Sequence, residues 1–93
     1  MIEVQFFSLL RILLKQERIE LSAVEEETVA QLLTRVQQQL STSFVQKLLT
    51  EEGNMHPGTI ILVNRHNIHH LKALQTPVRD GDVVAMFPPG AGG

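Results

Sequence analysis

Hydrophobic and polar residues alternate at the beginning of the chain and again after a short leucine-rich stretch. The first alternating segment, residues 2–7, predicts a β-strand with three apolar residues on one face and Phe7 on the other. Residues 8–15 lack a clean two-residue period and predict a compact connection with one helical turn. Because the alternation returns over residues 18–21, the two strands are expected to form a wide hairpin.

A helix is the clearest element that the pattern predicts. Thr28 and Gln31 have the spacing of a capping box, in which their side chains bond free backbone N–H groups at the helix start. We interpret Glu25–Glu27 as solvated charges near that start and Gln37–Gln39 as a solvated helix face. Behind the cap, apolar residues recur at helical spacing, namely Val29, Leu32, Leu33, Val36 and Leu40.

The second half of the chain is predicted to contribute further strands and a short helical turn. The turn is expected within residues 44–49. Residues 59–63 are apolar on both faces, which predicts an interior strand. The last strand covers residues 83–87 and ends where Pro88 and Pro89 prevent it from continuing.

This order of strands around one principal helix predicts an α+β fold of the β-grasp, or ubiquitin-like, type. Its mixed sheet would have about four or five strands that wrap the helix. A ferredoxin-like sandwich is the alternative, but it needs a second long helix, and residues 71–74 are too few to form one. We expect residues 1–93 to form one domain, with residues 88–93 as a projecting C-terminal tail.

Composition and charge narrow the possible functions. The chain has 93 residues, of which 43% are hydrophobic, so it is a folded domain too small for a deep enzyme cleft, and we expect it to work with a partner. The formal net charge of −2 and the scattered basic residues argue against nucleic-acid binding. The absence of cysteine excludes disulfides, thiol catalysis and Cys-ligated metal sites. No apolar run is long enough to span a membrane, and the cytoplasm is the expected compartment.

The end of the chain, Gly90-Ala91-Gly92-Gly93, is unusually rich in glycine. Glycine has no Cβ, so Gly92-Gly93 can enter a tunnel too narrow for any side chain. Pro88-Pro89 stiffens the exit from the sheet and is expected to direct this arm away from the body. On composition alone, a frayed end without function accounts for the glycines equally well.

Taken with the predicted fold, the sequence resembles the MoaD/ThiS family of ubiquitin-like sulfur carriers. The similarity rests on four segments in their order and spacing, namely residues 2–7, 63–64, 80–84 and the Phe-Pro-Pro-x-x-Gly-Gly end at 87–93. That end looks most like the small subunit of molybdopterin synthase. Residues 64–66 lack the glycine common in this turn of the family. Residues 67–77 also look similar to cysteine-synthesis carriers and archaeal-type protein modifiers.

The resemblance implies a chemistry for the Gly93 carboxylate. In this family an E1-like adenylating enzyme of the MoeB/ThiF type uses ATP to adenylate the terminal glycine, which then becomes a thiocarboxylate. A free carboxylate is a poor electrophile, and joining it to AMP provides the leaving group that a sulfur nucleophile displaces. By this resemblance the chain is a non-catalytic carrier that binds no cofactor itself.

The resemblance also implies a destination for the sulfur. The carrier would deliver it to a cyclic pterin precursor held by the large subunit of molybdopterin synthase (MoaE type). Carriers for thiamine or cysteine synthesis are the nearest alternatives. A ubiquitin-like protein modifier and a non-covalent adaptor with an inert terminus are further alternatives.

Several residues near the end of the fold are candidates for partner binding. If the first and last strands are neighbours, Phe7 and Phe87 lie together on the outer sheet face as an aromatic anchor, unless a loop covers both. By the family resemblance, Arg11 matches an arginine that recurs in molybdopterin-synthase small subunits and could pair with a partner carboxylate; a solvated arginine explains it equally well. The two prolines and the arm complete the predicted site, namely Pro88, Pro89, Gly90, Ala91, Gly92 and Gly93.

Three of the four histidines, His66, His69 and His70, invite a metal-site interpretation. Adjacent His69 and His70 would point to opposite faces of a strand, and a helix in this segment is too short to organise ligands. We therefore expect these histidines to be solvated or to cap backbone groups, and we expect no bound metal.

Overall fold

The structure is a computed structural model, and it describes residues 1–90 of the chain. Two helices and five strands follow one another in the order β1 (Ile2–Phe6), α1 (Leu9–Leu14), β2 (Arg18–Leu21), α2 (Val29–Gln39), β3 (Ile60–Val63), β4 (His66–Asn67) and β5 (Val83–Phe87). Short 3-10 turns occur at Val45–Lys47, Ile68–His70 and Ala73–Gln75.

The strands form one mixed sheet in the order β2-β1-β5-β3-β4. β1 pairs with β5 in parallel, and the other neighbouring strands are antiparallel. The buried side chains of α2 join those of the sheet in one apolar core. The predicted β-grasp fold is confirmed, and the short α1 is the helical turn expected between the first two strands.

Alternation along the two central strands decides which side chains form the core. On β1, Ile2, Val4 and Phe6 are fully buried, as the sequence predicted. On β5, Val84 and Met86 are also fully buried and face the same side. This burial is the main stabilising contribution of the sheet, because each such side chain contributes about 1.5–3 kcal/mol when removed from water.

The sequence predicted that β3 would be covered on both faces, but its outer face is partly exposed. Ile61 and Val63 are buried, whereas Ile60 is 41% exposed and Leu62 is half-buried. The helix packs on one side of the sheet, so the second row of apolar side chains on this strand meets no covering layer among the described residues. The sheet therefore presents apolar surface on its outer face.

Helix α2 begins at the predicted capping box. The Thr28 side chain accepts a hydrogen bond from the Gln31 backbone N–H at 3.3 Å, and the Gln31 side chain accepts one from the Thr28 N–H at 3.0 Å. Two of the orphan donors of the first turn are satisfied in this way, which stabilises the helix start.

Glu27, expected to be a solvated charge, is instead 3% exposed and paired with Arg35 on α2. The guanidinium donates Nε and Nη2 hydrogen bonds to the two carboxylate oxygens at 2.7 and 2.9 Å, and a third to the Ser22 carbonyl at 2.8 Å. Hydrogen bonding to Glu27 raises the pKa of Arg35 above its ordinary value, although partial burial opposes the shift. The pair ties the loop before α2 to the helix itself.

Ser8 has a backbone conformation that favours glycine. It lies at φ 57° and ψ −132°, and the Leu10 N–H donates across the turn to the Phe7 carbonyl oxygen at 3.2 Å. These angles are typical of the first central residue of a type II′ turn. We expect Ser8→Gly to raise the free energy of unfolding by about 1 kcal/mol and Tm by roughly 4–8 °C in thermal denaturation. Ser8→Ala keeps the strain and should show no gain; equal gains in both variants would contradict this reading.

Candidate functional site

The aromatic side chains of Phe7 and Phe87 lie together on the outer sheet face, as the alternation suggested. Their rings are stacked, with centroids 4.5 Å apart and planes inclined by 8°. The Phe7 backbone N–H donates to the Met86 carbonyl at 3.1 Å, which extends the β1 and β5 pairing by one bond and fixes the root of the Phe7 side chain. Both rings are half-buried, because each covers part of the other.

Arg11 on α1 completes this arrangement. Its guanidinium carbon lies 5.0 Å from the centroid of the Phe7 ring, within the range of a cation–π contact. Its Nε donates to the Phe6 carbonyl oxygen at 3.0 Å, and its Nη1 lies 4.0 Å from the Glu17 carboxylate. We call Phe7, Phe87 and Arg11 the aromatic stack. It offers a flat apolar surface beside a positive charge that remains 43% exposed.

A depression of about 480 Å³ adjoins the aromatic stack on the outer sheet face. Its lining includes the half-buried Leu62 on β3 and Ala85 on β5, whose small side chain leaves space next to the larger rings. Sequence reasoning missed Leu62 as a surface residue, because a continuous apolar strand was expected to be covered. The stack and the apolar part of this depression adjoin polar lining from Gln5, Asn64 and Arg65, and an apolar patch with a polar rim is typical of a protein contact site.

The chain leaves β5 through two prolines that are held against the body. Pro88 is buried, and both prolines line an apolar depression of about 370 Å³ with residues of α1 such as Leu9 and Ile12. Pro89 packs on Gly58, where an added Cβ would lie 3.4 Å from the Pro89 Cβ. Gly58 also has φ 91°, so a side chain there would be strained as well as crowded.

Pro88 and Pro89, the first two residues of the predicted tail, thus pack against the body, and the tail itself stays a prediction. Gly90 is exposed. Ala91, Gly92 and Gly93 lie outside the described residues. We assign Pro88 to anchoring this exit, and the partner contacts expected of Pro88, Pro89, Gly90 and Ala91 stay predictions.

The histidines do not come together as a ligand set. His69 and His70 lie in a 3-10 turn with their rings edge to face at 5.6 Å. Within residues 1–90, no group of three or more His, Asp or Glu side chains is arranged to hold a metal ion. In the same part of the chain, no helix combines the length and apolar character needed to cross a bilayer.

Comparison with models of known protein families shows which family the chain belongs to. The model of the ThiS family matches residues 4–93, nearly the whole chain. The chain belongs to the ThiS family. It is thus a member of a family of ubiquitin-like sulfur carriers and modifiers.

Two named proteins are similar in sequence to this member of the ThiS family. Small archaeal modifier protein 3 of Haloferax volcanii is 30% identical over 92 residues, which cover 99% of this chain and 98% of the relative. A protein of Archaeoglobus fulgidus that is named as a candidate sulfur carrier is 35% identical over 80 residues, covering 86% and 89% of the two chains. One relative is thus named for protein modification and the other for sulfur transport.

The crystal structure of SAMP1 from Haloferax volcanii has the same fold. It superposes on this chain with a TM-score of 0.83 at 21% identity, covering 99% of this chain and 98% of the other. At this identity the similarity supports the β-grasp fold. Within that fold the aromatic stack lies beside the exit of the C-terminal arm.

Proposed function

We propose that this member of the ThiS family carries sulfur as a thiocarboxylate on Gly93. The single observation that carries the proposal is the position of Pro88-Pro89, the root of the glycine arm. These prolines are anchored between α1 and Gly58, and the aromatic stack lies immediately beside them. A partner that grips the stack is therefore placed to receive the arm that follows Gly90.

The proposed chemistry needs two steps at the Gly93 carboxyl group. A carboxylate oxygen attacks the α-phosphorus of ATP in the active site of an E1-like adenylating enzyme, and pyrophosphate leaves. Hydrosulfide then attacks the acyl carbon, AMP leaves with the electron pair of the C–O bond, and loss of the sulfur-bound proton leaves the thiocarboxylate. The chain itself holds no ATP in this scheme, and its contribution is a terminus thin enough to reach another active site.

A complex in a related protein supports the need for a partner. A crystal structure of the Amycolatopsis orientalis BexX/CysO complex contains a chain that superposes on this one with a TM-score of 0.78 at 23% identity. For this chain we propose two partners, the adenylating enzyme of the MoeB/ThiF type and the large subunit of molybdopterin synthase. The Phe-Pro-Pro-x-x-Gly-Gly end supports this molybdopterin assignment over thiamine and cysteine synthesis.

Protein modification is the second candidate function, and the 30% identity to a small archaeal modifier protein favours it. The same adenylate would then be attacked by a lysine amine, and an isopeptide bond would form with loss of AMP. The two functions separate in cells that express an epitope-tagged chain. Sulfur transport predicts no covalent high-mass conjugates, whereas modification predicts conjugates that disappear when Gly93 is removed.

The first step is tested by exchange of labelled pyrophosphate into ATP, catalysed by the adenylating enzyme encoded in the same genome. We expect exchange to require the chain with a free Gly93 carboxylate. A chain amidated at Gly93 is the matched control and should support none. Exchange that proceeds equally with the amidated chain would contradict the proposed activation.

The aromatic stack gives a prediction about partner affinity. We expect Phe7→Ala to weaken binding of the adenylating enzyme about tenfold or more, because the substitution removes an aromatic anchor and leaves Phe87 and Arg11 without their contact. The dissociation constant is measured by isothermal titration calorimetry. Val24→Ala is the control, since Val24 is 46% exposed and lies in the loop before α2, away from both the stack and the root of the arm. Equal affinities of Phe7→Ala and the unmodified chain would exclude the stack from this interface.

A further inference from the structure

Positive charge is concentrated at the end of the sheet opposite the C-terminal arm. Residues 64–79 contain three of the eight Lys and Arg residues, three of the four His residues and none of the ten Asp and Glu residues. This segment follows Val63, which pairs with Val84 near the start of β5, whereas the arm follows the other end of that strand. The basic residues that looked scattered in the sequence are therefore partly gathered in the fold.

Three of these side chains line one depression of about 580 Å³, which we call the basic depression. His66 comes from β4, while Lys72 and Arg79 come from the loop between β4 and β5. Leu71 and Pro77 add apolar lining, and Leu71 is 47% exposed. Among residues 1–90, neither Lys72 nor Arg79 forms an ion pair with a carboxylate.

The carboxylates near these cations are accounted for. Asp82 also lines the basic depression, but it accepts hydrogen bonds from the Asn64 side-chain amide and the Arg79 backbone N–H, both at 2.8 Å. Glu25, Glu26 and Asp80 line a neighbouring depression that shares Arg79. None of them is paired with Arg79, and Asp80 accepts a hydrogen bond from the N-terminal amine. The Lys72 and Arg79 side chains thus remain available to an anion from outside.

The loop that carries these cations is held in place by α2 and the segment before it. The Val29 N–H donates to the Thr76 carbonyl oxygen at 2.9 Å, and the Val78 N–H donates to the Glu27 carbonyl oxygen at 2.9 Å. Within the loop, the Lys72 N–H donates to the Thr76 hydroxyl at 3.1 Å. The basic depression is therefore formed before any ligand arrives, which lowers the entropic cost of binding.

We propose that the basic depression docks an acidic segment of a protein partner. Its carboxylates would meet Lys72 and Arg79, and one apolar side chain would contact Leu71 and Pro77. Nucleic acid fits less well, because the rest of the chain holds all ten acidic residues and only five of the eight Lys and Arg residues, so a polyphosphate that extends beyond the basic depression would be repelled. Residues 64–79 also contain no aromatic residue on which a base could stack.

The proposed docking site goes beyond the proposed function, because it needs neither the arm nor the aromatic stack. The two ends of β5 are separated by roughly 13 Å, the length of a five-residue strand. Asn64 lines both the basic depression and the depression beside the aromatic stack, whereas Lys72 and Arg79 do not line the latter. The two surfaces are therefore neighbours, and the proposed acidic segment uses charged side chains that the stack does not.

The test uses a fluorescein-labelled peptide in which one leucine is flanked on both sides by glutamates. We expect fluorescence anisotropy to show binding to the full chain, and the largest NMR shift changes to fall within residues 63–79. The double variant Lys72→Glu/Arg79→Glu should bind about tenfold more weakly or worse. The control Lys15→Glu/Lys47→Glu has the same change in net charge and should lose about twofold or less.

Several results would overturn the proposal. One is an equal loss of peptide affinity in both double variants, which would show that only the net charge of the chain matters. Another is the absence of shift changes within residues 63–79. Tighter binding of a single-stranded oligonucleotide than of the peptide would assign the surface to nucleic acid. A chain that ends at Ala91 should bind the peptide as the full chain does, so failure of this proposal is distinguishable from failure of sulfur transfer.

Discussion

A chain that ends at Ala91 is expected to fold normally and to acquire no sulfur. Removal of Gly92 and Gly93 takes away the carboxylate that we propose as the acyl donor, so thiocarboxylate formation should fall to the background of the assay. Tm should change by about 1 °C or less, because the buried residues of the apolar core all lie between Ile2 and Met86, before the arm begins. Thiocarboxylation is followed by mass spectrometry, and folding by circular dichroism.

A second variant tests the width of the arm while keeping its length and its terminal carboxylate. Gly92→Ala with Gly93 retained keeps the terminal carboxylate and adds one methyl group to the arm. We expect it to fold, but to be adenylated more slowly by about tenfold or more if the arm enters a narrow tunnel. Full sulfur loading of the chain that ends at Ala91 would contradict the assignment of Gly93 as the carrier position.

Replacement of Glu27 by alanine is expected to produce the largest loss of stability among the single substitutions considered. It would leave the Arg35 guanidinium partly buried without the carboxylate that binds two of its nitrogens. Breaking a buried ion pair costs about 3 kcal/mol, so Tm should fall by roughly 12–24 °C. Urea denaturation measures the free energy of unfolding, and thermal denaturation measures Tm.

Glu25→Ala is the matched control for this prediction. Glu25 is exposed and forms no ion pair among the described residues, so its loss should change the free energy of unfolding by about 0.5 kcal/mol or less. The double variant Glu27→Ala/Arg35→Leu should recover part of the loss, because no unpaired charge remains. Equal stability of Glu27→Ala and Glu25→Ala would show that the pair contributes little.

The core and the contact of Phe7 with Phe87 could be predicted from the sequence, because both follow from the two-residue alternation of side chains along a β-strand. Alternation fixes which residues of β1 and β5 face inwards, and the β-grasp order makes these strands neighbours. The stacked geometry of the rings and the position of Arg11 over Phe7 depend on the turn at Ser8. That turn places a non-glycine residue at positive φ, which no local pattern indicated.

The polar interactions were harder to predict, because they join residues whose proximity depends on the tertiary fold. Gln37 was expected on a solvated face, but its side-chain oxygen accepts hydrogen bonds from the Phe44 and Val45 N–H groups at 2.8 and 3.2 Å. Glu27 was similarly interpreted as one of three solvated glutamates. An acidic or amide side chain near a helix end has the same sequence signature whether it binds water or a distant backbone group.

The measurement that tests the central claim most directly is the intact mass of the full chain after incubation with the adenylating enzyme, ATP and a sulfur donor. We expect a mass increase equal to the replacement of one oxygen by one sulfur, and fragmentation should locate it at Gly93. Omission of ATP should prevent the increase. An unchanged mass in the presence of an enzyme that is active towards the chain, or sulfur located at any other residue, would contradict the claim.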